Sequence, residues 1–222
     1  MNYTRSLLEG CGREFAKLNK ILSNYSSKTI ENRCGLWALE NAPAVEAYLD
    51  ALDDPNKRAI IRRVLTEFQS EVLDKKDQFT QAIIHDDLNE QNLIVKKSDN
   101  NLDYELAAIL DFNDMIKSIR IFDIAVFCAY AMLNDKVSMG FLDMPKFILP
   151  AYCSNIEVSA QELAIIPICI KARLCQSLVL GAHFFKLDPT NEYLLETSKT
   201  GWPVLTELAG ISNDELIKMW IK

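Results

Sequence analysis

In the stretch IIHDDLNEQNLIV, residues 83–95, a histidine and two adjacent aspartates follow an apolar pair, and an asparagine closes the polar run. Polar clusters between apolar segments are costly to bury unless they are paired or chemically employed. The pattern is His85-x-Asp87-x-x-x-x-Asn92, followed downstream by Asp111-Phe112-Asn113-Asp114. Few, hard oxygen donors suit Mg²⁺, which completes its shell with water and phosphate. Phosphoryl transfer asks for little more locally: positioning, charge neutralisation, and one carboxylate to take the proton of the acceptor hydroxyl. The spacing therefore assigns Asp87 to the acceptor hydroxyl as base or orienter, and Asn92 and Asp111 to the metal ions that bridge the nucleotide's phosphates. His85 is expected to fix the loop through backbone bonds. Asp123, a lone carboxylate in an apolar segment, is expected to brace the same loop by accepting its N–H groups. Either half of the pattern alone is a weak signal, since an acidic turn is usually just solvated and D-F-x-D also suits a helix N-terminus. The order of the two halves and the apolar strands beside them carry the assignment.

These residues need elements to position them. Leu7, Leu8, Cys11, Phe15, Leu18 and Leu22 recur at helical spacing, which predicts an amphipathic helix over 5–22. "GCG" at 10–12 falls inside it, with no strand before it, and reads as helix. Residues 24–35 read as loop, and 42–52 as a short helix. Asp54-Pro55 opens a further helix, running to about residue 75, with a capping carboxylate and proline at the first helical position. The period then changes: FTQAII is short and extended, and NLIV and YELAAIL, separated by a polar loop, read as a β-hairpin. Residues 119–133 are apolar almost all round, which predicts a buried helix. Ser159-Ala-Gln-Glu162 is a capping box opening a helix that Pro167 kinks or splits before it ends near Lys186. Asp188-Pro189 is expected to restart a helix, and Ser212-Asn-Asp-Glu215 caps the last one. The fold class is thus α+β, mainly helical, in one domain over 1–222, with a small hairpin carrying the acidic groups.

The 222 residues are 49% hydrophobic, enough for a sizeable core, and the net charge of −7 argues against a nucleic-acid partner. The longest apolar run, IFDIAVFCAYAML, is 13 residues long and contains an aspartate, so no membrane partner is expected. No signal-peptide pattern is visible at the N-terminus. The six cysteines form no C-x-x-C pair, and Cys128 and Cys169 sit in apolar runs, which favours a reducing compartment and a cytoplasmic location. His183, in an apolar run, reads as packed; neither a Ser-His-Asp arrangement nor a zinc site has support.

HDDLNEQN, ILDFND and FDIA together resemble the catalytic core of the aminoglycoside phosphotransferase and choline kinase group, which shares the protein-kinase fold. RLCQSLVLGA and TSKTGWPVL are similar to the hydroxylysine kinase branch of that group. The resemblance runs along the whole chain but onto only the C-terminal part of that branch. It implies a kinase-like C-terminal lobe with Asp87 as catalytic aspartate and Asn92 and Asp111 as metal ligands. It also implies Mg²⁺, GTP or ATP as donor, and a small amino alcohol, 5-hydroxy-L-lysine, as acceptor. Three departures stand out. The group has glycine where this chain has Asp86 and Asn113, although Asp and Asn best tolerate a left-handed backbone among non-glycine residues. The N-terminal lobe, with its phosphate-covering loop and lysine, is expected to be absent. For the substrate, Arg173 is a candidate fork for a carboxylate, or else an interhelical salt bridge. Asp114 is a candidate for an amine, or else a holder of its loop; Trp37 and Trp202 are candidate pocket walls or core. The alternative to a kinase is a non-catalytic, truncated kinase-like module that binds a metabolite or protein.

Overall fold

The computed structural model describes residues 3–98, 103–134 and 139–221. Helices dominate: α1 (Arg5–Leu22), α2 (Lys28–Glu31), α3 (Pro55–Glu71), α4 (Phe122–Ala131), α5 (Pro145–Cys153), α6 (Ala160–Leu187), α7 (Glu196–Ala209) and α8 (Asn213–Trp220). Four short strands, β1 (Gln81–Ile84), β2 (Leu93–Lys97), β3 (Tyr104–Ile109) and β4 (Ile116–Ile119), form two antiparallel pairs, β1 with β4 and β2 with β3. The chain is α+β and mainly helical, as its periodicity predicts.

Local chemistry explains the helix boundaries. Thr4 caps α1 by accepting a bond from the Leu7 N–H, and Leu7, Leu8, Cys11, Phe15 and Leu22 form its buried face. Asp54 caps α3 through the Asn56 N–H at 2.8 Å, with Pro55 at the first position. Ser159 and Glu162 form the reciprocal capping box of α6, and Ser212 and Glu215 that of α8.

α6 is the axis of the core. It is buried from Ile165 to Gly181 and packs against α3, α4, α7, α8 and a 3-10 segment over Leu39–Ala51. By length and composition α6 could cross a bilayer, yet 89% of its apolar window is buried inside the protein. Pro167 lies within α6 without splitting it.

Four expectations are corrected. The apolar stretch 119–133 does not begin as helix: Ile116–Ile119 is strand β4, and α4 starts only at Phe122. A strand of four residues carries too little alternation to stand out beside an all-apolar helix. Asp188-Pro189 does not restart a helix, because the Asp188 carboxylate accepts the Thr190 N–H at 3.2 Å and its hydroxyl at 2.6 Å and closes a turn. α7 begins at Glu196, after a 3-10 turn over Glu192–Leu195. The segment expected as a short helix over 42–52 is the tighter 3-10 form, and the loop expected at 24–35 contains α2.

The "GCG" of α1 serves close packing. A Cβ on Gly12 would sit 2.4 Å from the Ile148 carbonyl oxygen and 3.2 Å from the Ala151 Cβ, both on α5. A methyl there must push two helices apart. Gly12→Ala is expected to destabilise the chain by about 1–3 kcal/mol. Gly35→Ala, where an added Cβ meets nothing within 4 Å, is expected to stay close to wild type. Urea denaturation of the two variants checks this, and equal midpoints would contradict it.

Candidate active site

Strand register brings the two halves of the acidic pattern together. β1 ends on Ile84 paired with Ile116 at the start of β4, and β2 starts on Leu93 paired with Ile109 at the end of β3. The loop over 85–92 and the loop over 110–115 therefore leave neighbouring strand ends. The Leu110 N–H donates to the Asn92 carbonyl at 2.8 Å, and His85 Nε2 lies 2.8 Å from the Leu110 carbonyl. His85 Nδ1 accepts the Asp87 N–H at 3.3 Å, so the ring proton belongs on Nε2, which donates to Leu110. The His85 ring also packs on Phe112, with centroids 4.8 Å apart.

Asp123, in the first turn of α4, is fully buried. Its Oδ2 accepts the His85 N–H at 3.0 Å and the Asn19 amide at 2.7 Å, and its Oδ1 accepts the Asp86 N–H at 2.8 Å. Asn19 in turn accepts the Tyr152 hydroxyl at 2.7 Å, which ties α1 and α5 to the same carboxylate. Burial pushes the Asp123 carboxyl up, and the donated N–H groups of His85, Asp86 and Asn19 pull it part of the way back.

Asp87 is held from three directions. Its Oδ1 accepts Arg173 Nη2 at 3.1 Å, and its Oδ2 accepts the Asn89 and Asn92 side-chain amides, each at 3.0 Å. Arg173 is 2% exposed. Its other donors go to the Tyr130 hydroxyl, the Trp37 carbonyl and the Gln176 side chain. Four of the five N–H groups of a guanidinium are thus engaged inside the protein, which makes Arg173 a brace for Asp87 first. A carboxylate offers about four lone-pair sites, so Asp87 keeps room for one more donor from the cleft.

Asp86 has φ 66°, in the left-handed region, and is 4% exposed. Burial pushes its carboxyl well up, Arg173 and a Leu39 backbone bond oppose this, and Asp123 and Asp87 add to it. Asp111 is the second non-glycine residue with positive φ, at 58°, whereas Asn113 does not adopt that conformation. Asp111 is exposed and its Oδ1 accepts the Asn113 N–H at 3.3 Å.

The donor set fits a divalent cation that keeps waters and phosphates. Asn92 Nδ2 faces two acceptors on Asp87, the carbonyl at 2.9 Å and Oδ2 at 3.0 Å, which turns its amide oxygen the other way. That oxygen and the exposed Asp111 carboxylate are hard donors, few in number, as Mg²⁺ prefers. Among the described residues no group of three or more His, Cys, Asp or Glu side chains forms an all-protein metal cage.

An open cleft of about 930 Å³ lies over these loops, lined by Asp86, Asp87, Asp114, Trp37, Tyr130 and Arg173 among others. Trp202 is not among its lining residues and stacks under Lys57 at 4.6 Å. His183 packs on Tyr48 with centroids 4.4 Å apart. Sequence reasoning missed Asn19, Asn89 and Gln176. Asn19 carried a signal: it follows Phe15 by four residues and precedes Leu22 by three, so it is a polar residue on a buried stripe.

Residues 2–144 match the model of the phosphotransferase enzyme family. The chain belongs to this family. A hydroxylysine kinase from Bos taurus is 30% identical over 223 residues, covering 97% of this chain and 58% of the relative, so this chain spans less than two thirds of that relative's length. Two solved structures share its fold. A microcompartment-associated aminopropanol kinase superposes with a TM-score of 0.68 at 13% identity, covering 99% of this chain and 65% of that one. The amicoumacin kinase hAmiN, in complex with AMP-PNP, Ca²⁺ and Ami, superposes with a TM-score of 0.62 at 16% identity, covering 96% and 60%.

The Asp86 carboxyl gives a pH-dependent expectation. Its folded-state value lies above the unfolded 3.8, so the folded chain binds the proton more tightly, and stability is lost as pH rises from 3.8 through the folded-state value. Asp86→Asn removes that loss. It is expected to be more stable than wild type at about pH 7.5 by roughly 1–3 kcal/mol. The gap should close near about pH 4, where both forms are neutral. Calorimetric melts at the two pH values check this; a gap of equal size at both would contradict it.

Proposed function

We propose that the chain is a kinase-like C-terminal lobe that transfers the terminal phosphoryl group of GTP or ATP to the hydroxyl of a small amino alcohol, with 5-hydroxy-L-lysine as the leading acceptor. The observation that carries this is Asp87, fixed by Arg173, Asn89 and Asn92 at the floor of an open cleft with an acceptor site to spare. Family membership and the similarity to a hydroxylysine kinase support the reaction class and the acceptor. The nucleotide analogue and divalent ion named for the amicoumacin kinase support a nucleotide–metal donor.

Asp87 aligns the acceptor hydroxyl and takes its proton as the oxygen attacks phosphorus. Arg173, Asn89 and Asn92 keep the carboxylate from rotating, so that little reorganisation is needed at the moment of transfer. Arg173 is then a positioning residue, acting through Asp87. His85 and Asp123 hold the loop that presents Asp87, and Asp114 lies on the same cleft for an acceptor amine. Asn92 and Asp111 would hold the Mg²⁺, which neutralises charge on the phosphate oxygens when bound. A reducing compartment, with the cytosol as the default, suits six free cysteines of which four are buried.

A transfer assay on the full chain tests this reading: GTP or ATP with Mg²⁺ and 5-hydroxy-L-lysine, with the phosphomonoester read by ³¹P NMR. Asp87→Ala is expected to lower kcat by about 10²–10⁴-fold, the range for a positioned proton acceptor. Asn92→Ala and Asp111→Ala are expected to raise the Mg²⁺ concentration needed for half-maximal rate. Equal rates for wild type and Asp87→Ala would remove Asp87 from the chemistry. Absence of transfer by the wild type would favour the binding-module alternative.

A further inference from the structure

We propose that Asp86 is a specificity residue that anchors a protonated amine on the carbon next to the acceptor hydroxyl, so that the site selects vicinal amino alcohols. The inference rests on the phosphotransfer reading for the hydroxyl, and adds to it the chemistry of the neighbouring group.

Three observations carry it. First, Asp86 Oδ1 is one of three buried side-chain polar atoms without a hydrogen-bond partner among the described residues, with Tyr3 Oη and Arg120 Nε, and of these residues Asp86 alone lines the cleft. An orphaned buried acceptor costs roughly 1–3 kcal/mol, and a ligand donor would recover it. Second, the nearby donors leave Oδ1 unserved: the Asp86 N–H goes to Asp123, Arg173 goes to Tyr130, Trp37, Gln176 and Asp87, and the Leu39 N–H that bears on the Asp86 carboxyl does not make Oδ1 a partner. Third, the cleft lining carries five carboxylates against three cations, and one of those cations is the internally paired Arg173. The excess favours a positively charged ligand.

Adjacency sets the ligand's geometry. Asp86 and Asp87 are consecutive, with Cα atoms about 3.8 Å apart, and both carboxyls lie in the field of the Arg173 guanidinium. With both carboxyls beside one guanidinium, a ligand whose hydroxyl meets Asp87 and whose ammonium meets Asp86 has a short span between the two groups. Neighbouring carbons satisfy that; a long spacer does not. The left-handed backbone at Asp86 is what aspartate tolerates where the resembled group has glycine, so a carboxylate is added without reshaping the loop. Oδ1 lies out of water's reach in this state, so the ammonium enters with a small side-chain displacement, of the kind common at binding sites.

Titration calorimetry on the full chain tests this with a matched pair of ligands: 5-hydroxy-L-lysine, and 2-amino-5-hydroxyhexanoic acid, which keeps the alcohol but lacks the neighbouring amine. Wild type is expected to bind the first about tenfold more tightly or better, equivalent to ~1.4 kcal/mol. Asp86→Gly and Asp86→Asn are expected to lose most of that preference, while their affinity for the second ligand stays within about twofold. Thermal melts of both variants confirm that they fold. A preference that survives in the variants, or a wild type that binds the two ligands equally or binds neither, overturns the proposal. The outcome is separable from the kinase reading. Transfer without an Asp86-dependent preference keeps the kinase and sinks the amine anchor; such a preference without transfer keeps the anchor and sinks the kinase.

Discussion

The Asp123 carboxylate is the interaction on which the rest of the site depends. It gathers two consecutive backbone N–H groups, from His85 and Asp86, at the point where β1 ends and the chain enters a left-handed turn. β1 and β4 are four residues each, too short to hold that turn by their own ladder. A buried carboxylate without donors would be expensive, and buried N–H groups without acceptors equally so. Each satisfies the other. Through Asn19 and Tyr152 the same carboxylate also joins α1 and α5 to the loop, so the site is anchored to the helical core and not to the small sheets alone.

A second buried charge completes the arrangement. Arg173 comes from the buried middle of α6, the axis of the core, and reaches Asp87 from below. Its guanidinium is desolvated, which is tolerable because it is paired and hydrogen-bonded on several sides. The consequence is a carboxylate whose orientation is set by the core and whose remaining face is open to the cleft. Asp86 stands beside it with one oxygen unpaired. Two adjacent carboxyl groups thus meet different surroundings: Asp87 is held by three side-chain donors, while burial pushes the Asp86 carboxyl up.

Much of this was legible in the amino-acid order. The stripe of α1, the proline-led start of α3, the two capping boxes and the β2–β3 hairpin all follow from local patterns that packing reinforces. The bracing part expected of Asp123 followed from one argument, that a lone carboxylate in an apolar segment needs donors. What was not legible was mostly non-local. Strand β4 could be found only by its pairing with β1. The link from Asn19 to Asp123 spans 104 residues, and the one from Arg173 to Asp87 spans 86. Asp188-Pro189 shows the opposite failure: a sound local signal for a helix start was outcompeted by an equally local turn on Thr190. Asn113 was the residue expected to stand in for a glycine in its loop, but the left-handed position fell two residues earlier, at Asp111.

Amide hydrogen exchange on the full chain tests the central claim, that Asp123 locks the turn presenting Asp87, most directly. If Asp123 holds the His85 and Asp86 N–H groups as firmly as the geometry implies, those two amides exchange only through global unfolding, at the rate of the buried α6 amides. In Asp123→Ala they should exchange much faster while α6 remains protected. Rapid exchange of His85 and Asp86 in the wild type, with α6 still protected, would contradict the account.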